Sequence, residues 1–407
     1  MPERPPLKVA SLLKETMARY YADAEGARSS GKPVVWMTAV SPVEIVVAMD
    51  LFPYYPENFG TLVASRKLTH EYSALAEAQG FFNDLCGYAR AGLGDYFRQD
   101  HSVGRCVPPD VVVCCNIQCG SLPKWFEVAS RWYSAPYFLL DAPLVLEDNR
   151  DQVVAYFKRQ LEELVSFLEW ATGRRLNWDR LVEVLDLANQ ACRLWQEVLD
   201  MAALRPAPFS FFDACVHMGP IVTWRGTKVA VDYYRRLKEE LEECVAREEY
   251  LVPDEQYKLY WDHIAIWPKL RWFADYFARR KAVVAVSQYT HAWARQFDLR
   301  RPWESMAEAY VTEFVNRSFD ARVELKLALM RRYRVDGFIL FSNRSCKPCS
   351  FGLYDKRQVL VERAGIPGII LEADMADLRF FNEQEVAQRL DVLFEQLKQA
   401  SGRSLED

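Results

Sequence analysis

Six of the ten cysteines fall in three places: Cys86, the group Cys114, Cys115 and Cys119, and the pair Cys346 and Cys349. Thiolates suit zinc or iron–sulfur clusters. A structural zinc site usually shows two short paired spacings, and Cys346-x-x-Cys349 is the only such pair here. Four thiols complete one cubane. Six are too many for one and too few for two fully ligated ones, so two cubanes with three thiols each would leave an iron open on each or share a non-protein bridge. The bland alternative is burial, strongest for Cys114, which reads equally as strand interior. Cys192, Cys215 and Cys244 are scattered and read as buried apolar residues, and Cys106 lies in a loop. His217, His263, Arg344 and Lys347 are candidate neighbours able to donate protons or hydrogen bonds to sulfur.

The elements that must carry these thiols follow from the pattern around them. Val111–Cys115 is a β-branched run between Pro109-Asp110 and Gly120-Ser121-Leu122-Pro123. It reads as a buried strand feeding a helix that starts at Pro123. The second pair follows another strand, Phe338–Ser342. Thiols at the carboxyl end of a strand, beside a helix N-terminus, stand where open α/β sheets bind ligands and where thiolates are favoured.

Strands at 33–38, 111–115 and 137–141 alternate with helices, and the alternation recurs at 258–266, 283–287, 338–342 and 368–372, which predicts parallel sheets. The chain divides into a helical segment 1–32, a first α/β domain 33–250 with a helical insertion, a linker near 248–257, and a second α/β domain 258–407. Phe52–Gly60 reads as a loop, either a rigid turn or the wall of a pocket. Residues 66–97 read as one long helix that breaks near Cys86, because Gly87, Gly92 and Gly94 weaken it. Val311–Tyr333 reads as helix, and Trp170, Trp178 and Trp195 as core. Glu372, Asp374, Asp377 and Arg379 read as a capped helix entrance with local ion pairs. Gly26–Lys32 matches the first seven positions of a phosphate loop, but Pro33 replaces the required Ser or Thr and the loop precedes a strand, so ATP binding there is rejected.

A length of 407 residues favours two domains, and 50% hydrophobic residues supply their cores. A net charge of −5 with mixed signs implies neither nucleic acid nor an anionic membrane as partner. The N-terminal stretch has no apolar signal region and no segment is apolar for the roughly 20 residues a membrane span needs. The expectation is a cytoplasmic protein whose cysteines are not disulfides.

The stretches PVVWMTAVSPVEIVVAMDLFPYYPENFG, LCGYARAGLGDYF, PPDVVVCCNIQCGSLPKWFE, SNRSCKPCS and GIPGIILEADMADLRFF resemble the superfamily of 2-hydroxyacyl-CoA dehydratases and ATP-dependent benzoyl-CoA reductases, over most of the chain. The resemblance implies two flavodoxin-like, doubly wound parallel-sheet domains with added helices and an iron–sulfur cluster in the cleft between them. It carries the ligand role onto Cys86, Cys119 and Cys346, and implies a separate ATP-hydrolysing 4Fe–4S activator protein. Cys349, where an aromatic is common, and the extra Cys114 and Cys115 resemble the double-cubane branch of that superfamily. That branch implies a sulfide-bridged 8Fe–9S cluster on all six thiols, a homodimer, and ATP-driven reduction of small molecules. Two alternatives stand beside it: a single 4Fe–4S subunit of a dehydratase or benzoyl-CoA reductase, and a non-catalytic zinc-stabilised or electron-carrier protein.

Overall fold

Eight strands form two four-stranded sheets, parallel throughout, in a computed structural model that describes residues 4–100, 104–400 and 402. The first sheet holds β1 (Val34–Met37), β2 (Phe52–Tyr54), β3 (Val111–Cys115) and β4 (Tyr137–Leu140) in the order β2-β1-β3-β4. The second holds β5 (Tyr257–Asp262), β6 (Ala282–Val286), β7 (Gly337–Asn343) and β8 (Gly368–Ala373) in the order β6-β5-β7-β8. The two halves share one topology, that of two flavodoxin-like α/β domains. β1, β3, β5 and β6 are buried at every position, as helix-covered parallel strands require, and their apolar runs are the reason. In each sheet the order reverses between its first and third strands, so the loops after β1, β3, β5 and β7 open at the switch points where such sheets bind ligands.

Several expectations change. Phe52–Gly60 is not a loop: Phe52–Tyr54 is an edge strand on β1 and Pro56–Ser65 is a helix. Pro53 is tolerated because β2 lies at the edge of its sheet, and Pro56 opens the helix where no amide donor is needed. The span 66–97 does break near Cys86 as expected, but into two separate helices, Thr69–Ala78 and Gly87–Phe97, with Cys86 at the N-cap of the second. Gly94 does not weaken that helix but lets it approach its neighbour, because a Cβ there would lie 1.9 Å from the Tyr72 carbonyl oxygen. Val311–Tyr333 is also interrupted: one helix ends at Val311, and Ser318 caps the next, Phe319–Tyr333, by accepting a hydrogen bond from the Ala321 amide. Trp195 is core, whereas Trp170 and Trp178 are 73% and 49% exposed. Helix Arg150–Thr172 buries the stripe Val153, Phe157, Leu161, Leu164 and Leu168 instead, and Trp170 falls off that face.

The domains are joined by buried charge. Arg90, fully buried, donates to Leu85 O, to Glu77 Oε1 at 2.8 Å and to Asp377 Oδ2 at 3.0 Å. Arg90 belongs to the Cys86 helix and Asp377 to the turn after β8. Arg379 pairs with the same two carboxylates. The charged group after the last strand is thus an interdomain latch as well as a local cap. Another buried pair, Arg225 with Glu44 at 2.8 Å, is closed by the Tyr310 hydroxyl from the second domain.

Replacing one member of a buried pair leaves an uncompensated charge and costs about 3–5 kcal/mol. Arg90→Leu is therefore expected to lower the unfolding free energy by an amount of that order and the urea midpoint with it, measured by urea unfolding. An unchanged midpoint would show that the latch does not hold the domains.

Candidate functional site

Three of the six singled-out thiols line one cavity of about 420 Å³ at the domain seam: Cys86, Cys119 and Cys346. Each stands just ahead of a helix. Cys86 caps Gly87–Phe97, Cys119 precedes Gly120 and the helix Ser121–Tyr133, and Cys346 caps the short turn Lys347–Ser350. In each case first-turn backbone N–H groups reach the sulfur: Tyr88 and Ala89 for Cys86, Ser121 and Leu122 for Cys119, and Cys349 for Cys346. Sulfur that carries negative charge is what such amides stabilise.

Burial pushes the Cys86 thiol up, and burial together with the neighbouring Cys346 pushes Cys119 up to about 11. Cys346 is instead lowered, first by a hydrogen bond from the Cys349 thiol. The two domains come this close because of Gly87. A Cβ there would sit 3.1 Å from the Ala376 Cβ and 3.2 Å from Asp374 Oδ1, and its amide donates to Ser345 Oγ at 3.4 Å across the seam.

His263 also lines the cavity, held by the turn after β5 in a left-handed conformation with φ of 75°. Burial pushes its imidazole down to about 3, so the ring is neutral. Its donor atom and the sulfurs of Cys346 and Cys349 all lie within 4.8 Å of one another. Cys349 itself is buried behind Cys346 and does not face the cavity.

The remaining candidates lie elsewhere. Cys114 and Cys115 are fully buried members of β3, pointing to opposite faces of the sheet as strand neighbours must. Cys114 bonds the Tyr137 hydroxyl, the Cys115 sulfur accepts from the Ile117 amide, and neither lines the cavity. His217 is buried against the Tyr233 hydroxyl, 2.6 Å from Nδ1, outside the cavity lining. Arg344 is exposed, paired with Asp84 at 2.7 Å across the seam and stacked 4.3 Å over the Phe380 ring. Lys347 is exposed. Cys192, Cys215 and Cys244 are buried as expected, although Cys215 reaches the cavity wall.

The residue missed by sequence reasoning is Glu57. It lines the cavity and accepts hydrogen bonds from the Ala39 amide at 2.5 Å and from Gln118 Nε2 at 3.2 Å. Burial pushes its carboxyl up to about 7, against the opposing pull of those two donors. The usable signal was Pro56-Glu57, a proline and an acid at a helix start; what hid it was reading the whole stretch as a loop.

The donor set fits a sulfur-rich metal centre. Three thiols converge from three helix N-termini, their sulfurs receive amide hydrogen bonds as cluster sulfurs do, and an ionisable carboxyl stands on the same wall. Fold and site together define a two-domain α/β protein with a thiol-lined seam between flavodoxin-like halves. The chain belongs to the 2-hydroxyglutaryl-CoA dehydratase D-component family, whose model matches residues 38–397. It is 30% identical over 391 residues to the (R)-2-hydroxyisocaproyl-CoA dehydratase alpha subunit of Clostridioides difficile, covering 95% of this chain and 96% of that one. It is 30% identical over 392 residues to the (R)-phenyllactyl-CoA dehydratase alpha subunit of Clostridium sporogenes, covering 95% of each chain. To a benzoyl-CoA reductase subunit of Thauera aromatica it is 29% identical over 423 residues, covering 98% of this chain and 97% of that one. The described helices include none long and apolar enough to cross a membrane.

Glu57 generates a pH test. Its folded value, about 7, lies above the ordinary 4.5. The stability it lends is therefore complete below 4.5 and is lost as pH rises through about 7. Infrared titration should show a carboxyl band disappearing near pH 7 in the wild-type protein and missing in Glu57→Gln. A band that vanishes near 4.5 would mean Glu57 is solvated.

Proposed function

We propose that this chain is the subunit of an acyl-CoA dehydratase or benzoyl-CoA-reductase-type enzyme that carries a single 4Fe–4S cluster on Cys86, Cys119 and Cys346. The observation that carries this reading is the convergence of those three, alone among the six clustered thiols, on one cavity beside Glu57. The cluster would leave one iron position free of protein sulfur, and when bound it supplies one-electron reduction of a thioester. The protein's own part is binding, proton handling and exclusion of water. Glu57, half-ionised near neutral pH, suits proton transfer at the substrate, and the Ala39 amide and Gln118 hold its two oxygens in place. His263, neutral, is a hydrogen-bond donor beside Cys346 rather than a fixed cation. Arg344, on the exposed rim, would meet a docking partner. The partners in this reading are a second chain of the same fold and a separate ATP-hydrolysing 4Fe–4S activator, both in the cytoplasm.

A second reading keeps a bridged 8Fe–9S double cubane in a homodimer that reduces small molecules. Its support is Cys349, whose sulfur lies with those of Cys346 and the His263 ring. Against it stands the burial of Cys114 and Cys115 inside β3.

Iron and sulfide analysis after anaerobic isolation separates the two. The single-cluster reading expects about four irons per chain, and about eight would overturn it. Cys86→Ser and Cys346→Ser should each deplete iron, whereas Cys114→Ser should leave the iron content and the visible absorbance of the cluster unchanged. Iron loss in Cys114→Ser would return that thiol to the ligand set.

A further inference from the structure

The cavity beside the three thiols is walled mainly by apolar side chains. Met17 from the N-terminal helix, Trp125 from the helix after Cys119, Val222, Leu270, Trp293 and Phe314 all line it. Trp125, Val222, Trp293 and Phe314 are each at least nine-tenths buried. No lysine or arginine is among the described residues that line it. The nearby guanidinium groups stand behind the wall and do not line it: Arg295 pairs through Nη2 with Glu313 at 2.6 Å, its Nε and Nη1 buried without a partner, and Arg225 pairs with Glu44 at 2.8 Å. Of the two carboxyls that do reach the wall, Glu313 is paired with Arg295, and Glu57 adds no positive charge.

On the wall itself the buried polar atoms that remain open are neutral, His263 Nδ1 among them. Among buried side chains without a hydrogen-bond partner are Trp267 Nε1 and Trp293 Nε1, both on residues of this wall. Indole N–H groups satisfy a carbonyl or amide oxygen without a formal charge. A carboxylate taken into such a place loses its hydration and finds no cation, which is strongly unfavourable. Apolar surface, in contrast, gains by burial there.

We infer that the acyl group accepted at this site is apolar and uncharged, branched aliphatic or aryl, and that acyl groups carrying a second carboxylate are rejected. The inference rests on the acyl-CoA reading proposed above and narrows it to one substrate class. The specificity lies in Leu270, Val222, Trp293 and Phe314, which offer no cation to a distal carboxylate.

The test is calorimetric titration of the anaerobically isolated holoenzyme with two unreactive saturated thioesters, 4-methylpentanoyl-CoA and glutaryl-CoA. The apolar thioester is expected to bind on the order of 100-fold more tightly, the scale of one unpaired buried carboxylate. Equal or tighter binding of glutaryl-CoA overturns the inference while leaving the acyl-CoA reading intact. Binding of neither overturns both. Leu270 is only half-buried, so Leu270→Arg can be accommodated. It should strengthen glutaryl-CoA binding about tenfold by supplying the absent cation, with Leu270→Met as the control that leaves the preference unchanged. No gain in Leu270→Arg, with the apolar preference kept, would place the discrimination elsewhere and overturn the assignment to this wall.

Discussion

A fully buried guanidinium cannot stand without its counter-ions, and Arg90 draws one of them from the other domain. Its anions are Glu77, on the preceding helix of its own domain, and Asp377, beyond β8 in the second domain. Taking such a charge out of water is repaid only when geometry and additional hydrogen bonds are good, and here Leu85 O accepts from Arg90 Nε while Arg379 braces the same two carboxylates. The helix that begins at Cys86 is therefore docked by charge on the domain that carries Cys346. Gly87, at the first turn of that helix, is the steric counterpart, since a Cβ there would crowd Ala376 and Asp374 at 3.1 and 3.2 Å. Asp377 is held below the usual aspartate range despite its burial, because Arg379 and Arg90 donate to it.

The same seam explains the chemistry of the site. Buried thiols without a metal are pushed toward their neutral form, as Cys86 and Cys119 are. Helix N-termini provide the opposite tendency, aiming amides at each of the three sulfurs. A low-dielectric, carbon-walled cavity strengthens every such interaction. It also excludes competing charge. Among the described residues, the groups on its wall with both a titratable proton and freedom from an ion pair are thiols, tyrosines, a neutral imidazole and Glu57. In the proposed reading, function and substrate preference follow from one feature, a wall that sets no fixed cation near three thiols.

Two identical sheet orders, β2-β1-β3-β4 and β6-β5-β7-β8, place Cys119 and Cys346 in equivalent positions, each after the third strand of its domain. A pseudo-equivalent pair of domains facing across their switch points accounts for why thiols come from both halves of a long chain. Cys86 breaks that equivalence, entering from a helix with no thiol-bearing counterpart in the second domain.

Much of this was legible in the residues alone. The apolar runs of β3 and β7, their thiols and the helix starts behind them are local facts: a β-branched run, a Gly or Pro, a capping position. So are the two-domain alternation and the motifs that carry the family resemblance. What the chain order could not express is direction and depth. Cys114 and Cys115 sit beside Cys119 in sequence, but strand geometry turns both into the sheet and only the loop residue reaches the cavity. Pro56-Glu57 looks like a turn until β1 pairs with Phe52–Tyr54 and the helix behind it swings the carboxyl onto the cavity wall. Trp170 looks like core until the opposite stripe of its helix is seen to be buried. Sequence alone thus determined which elements form and which thiols stand at their ends, because propensity, capping and periodicity are short-range. Only the tertiary structure decided which sulfurs meet, because that follows from contacts between residues far apart in the chain, such as the buried ion pair that spans 287 positions.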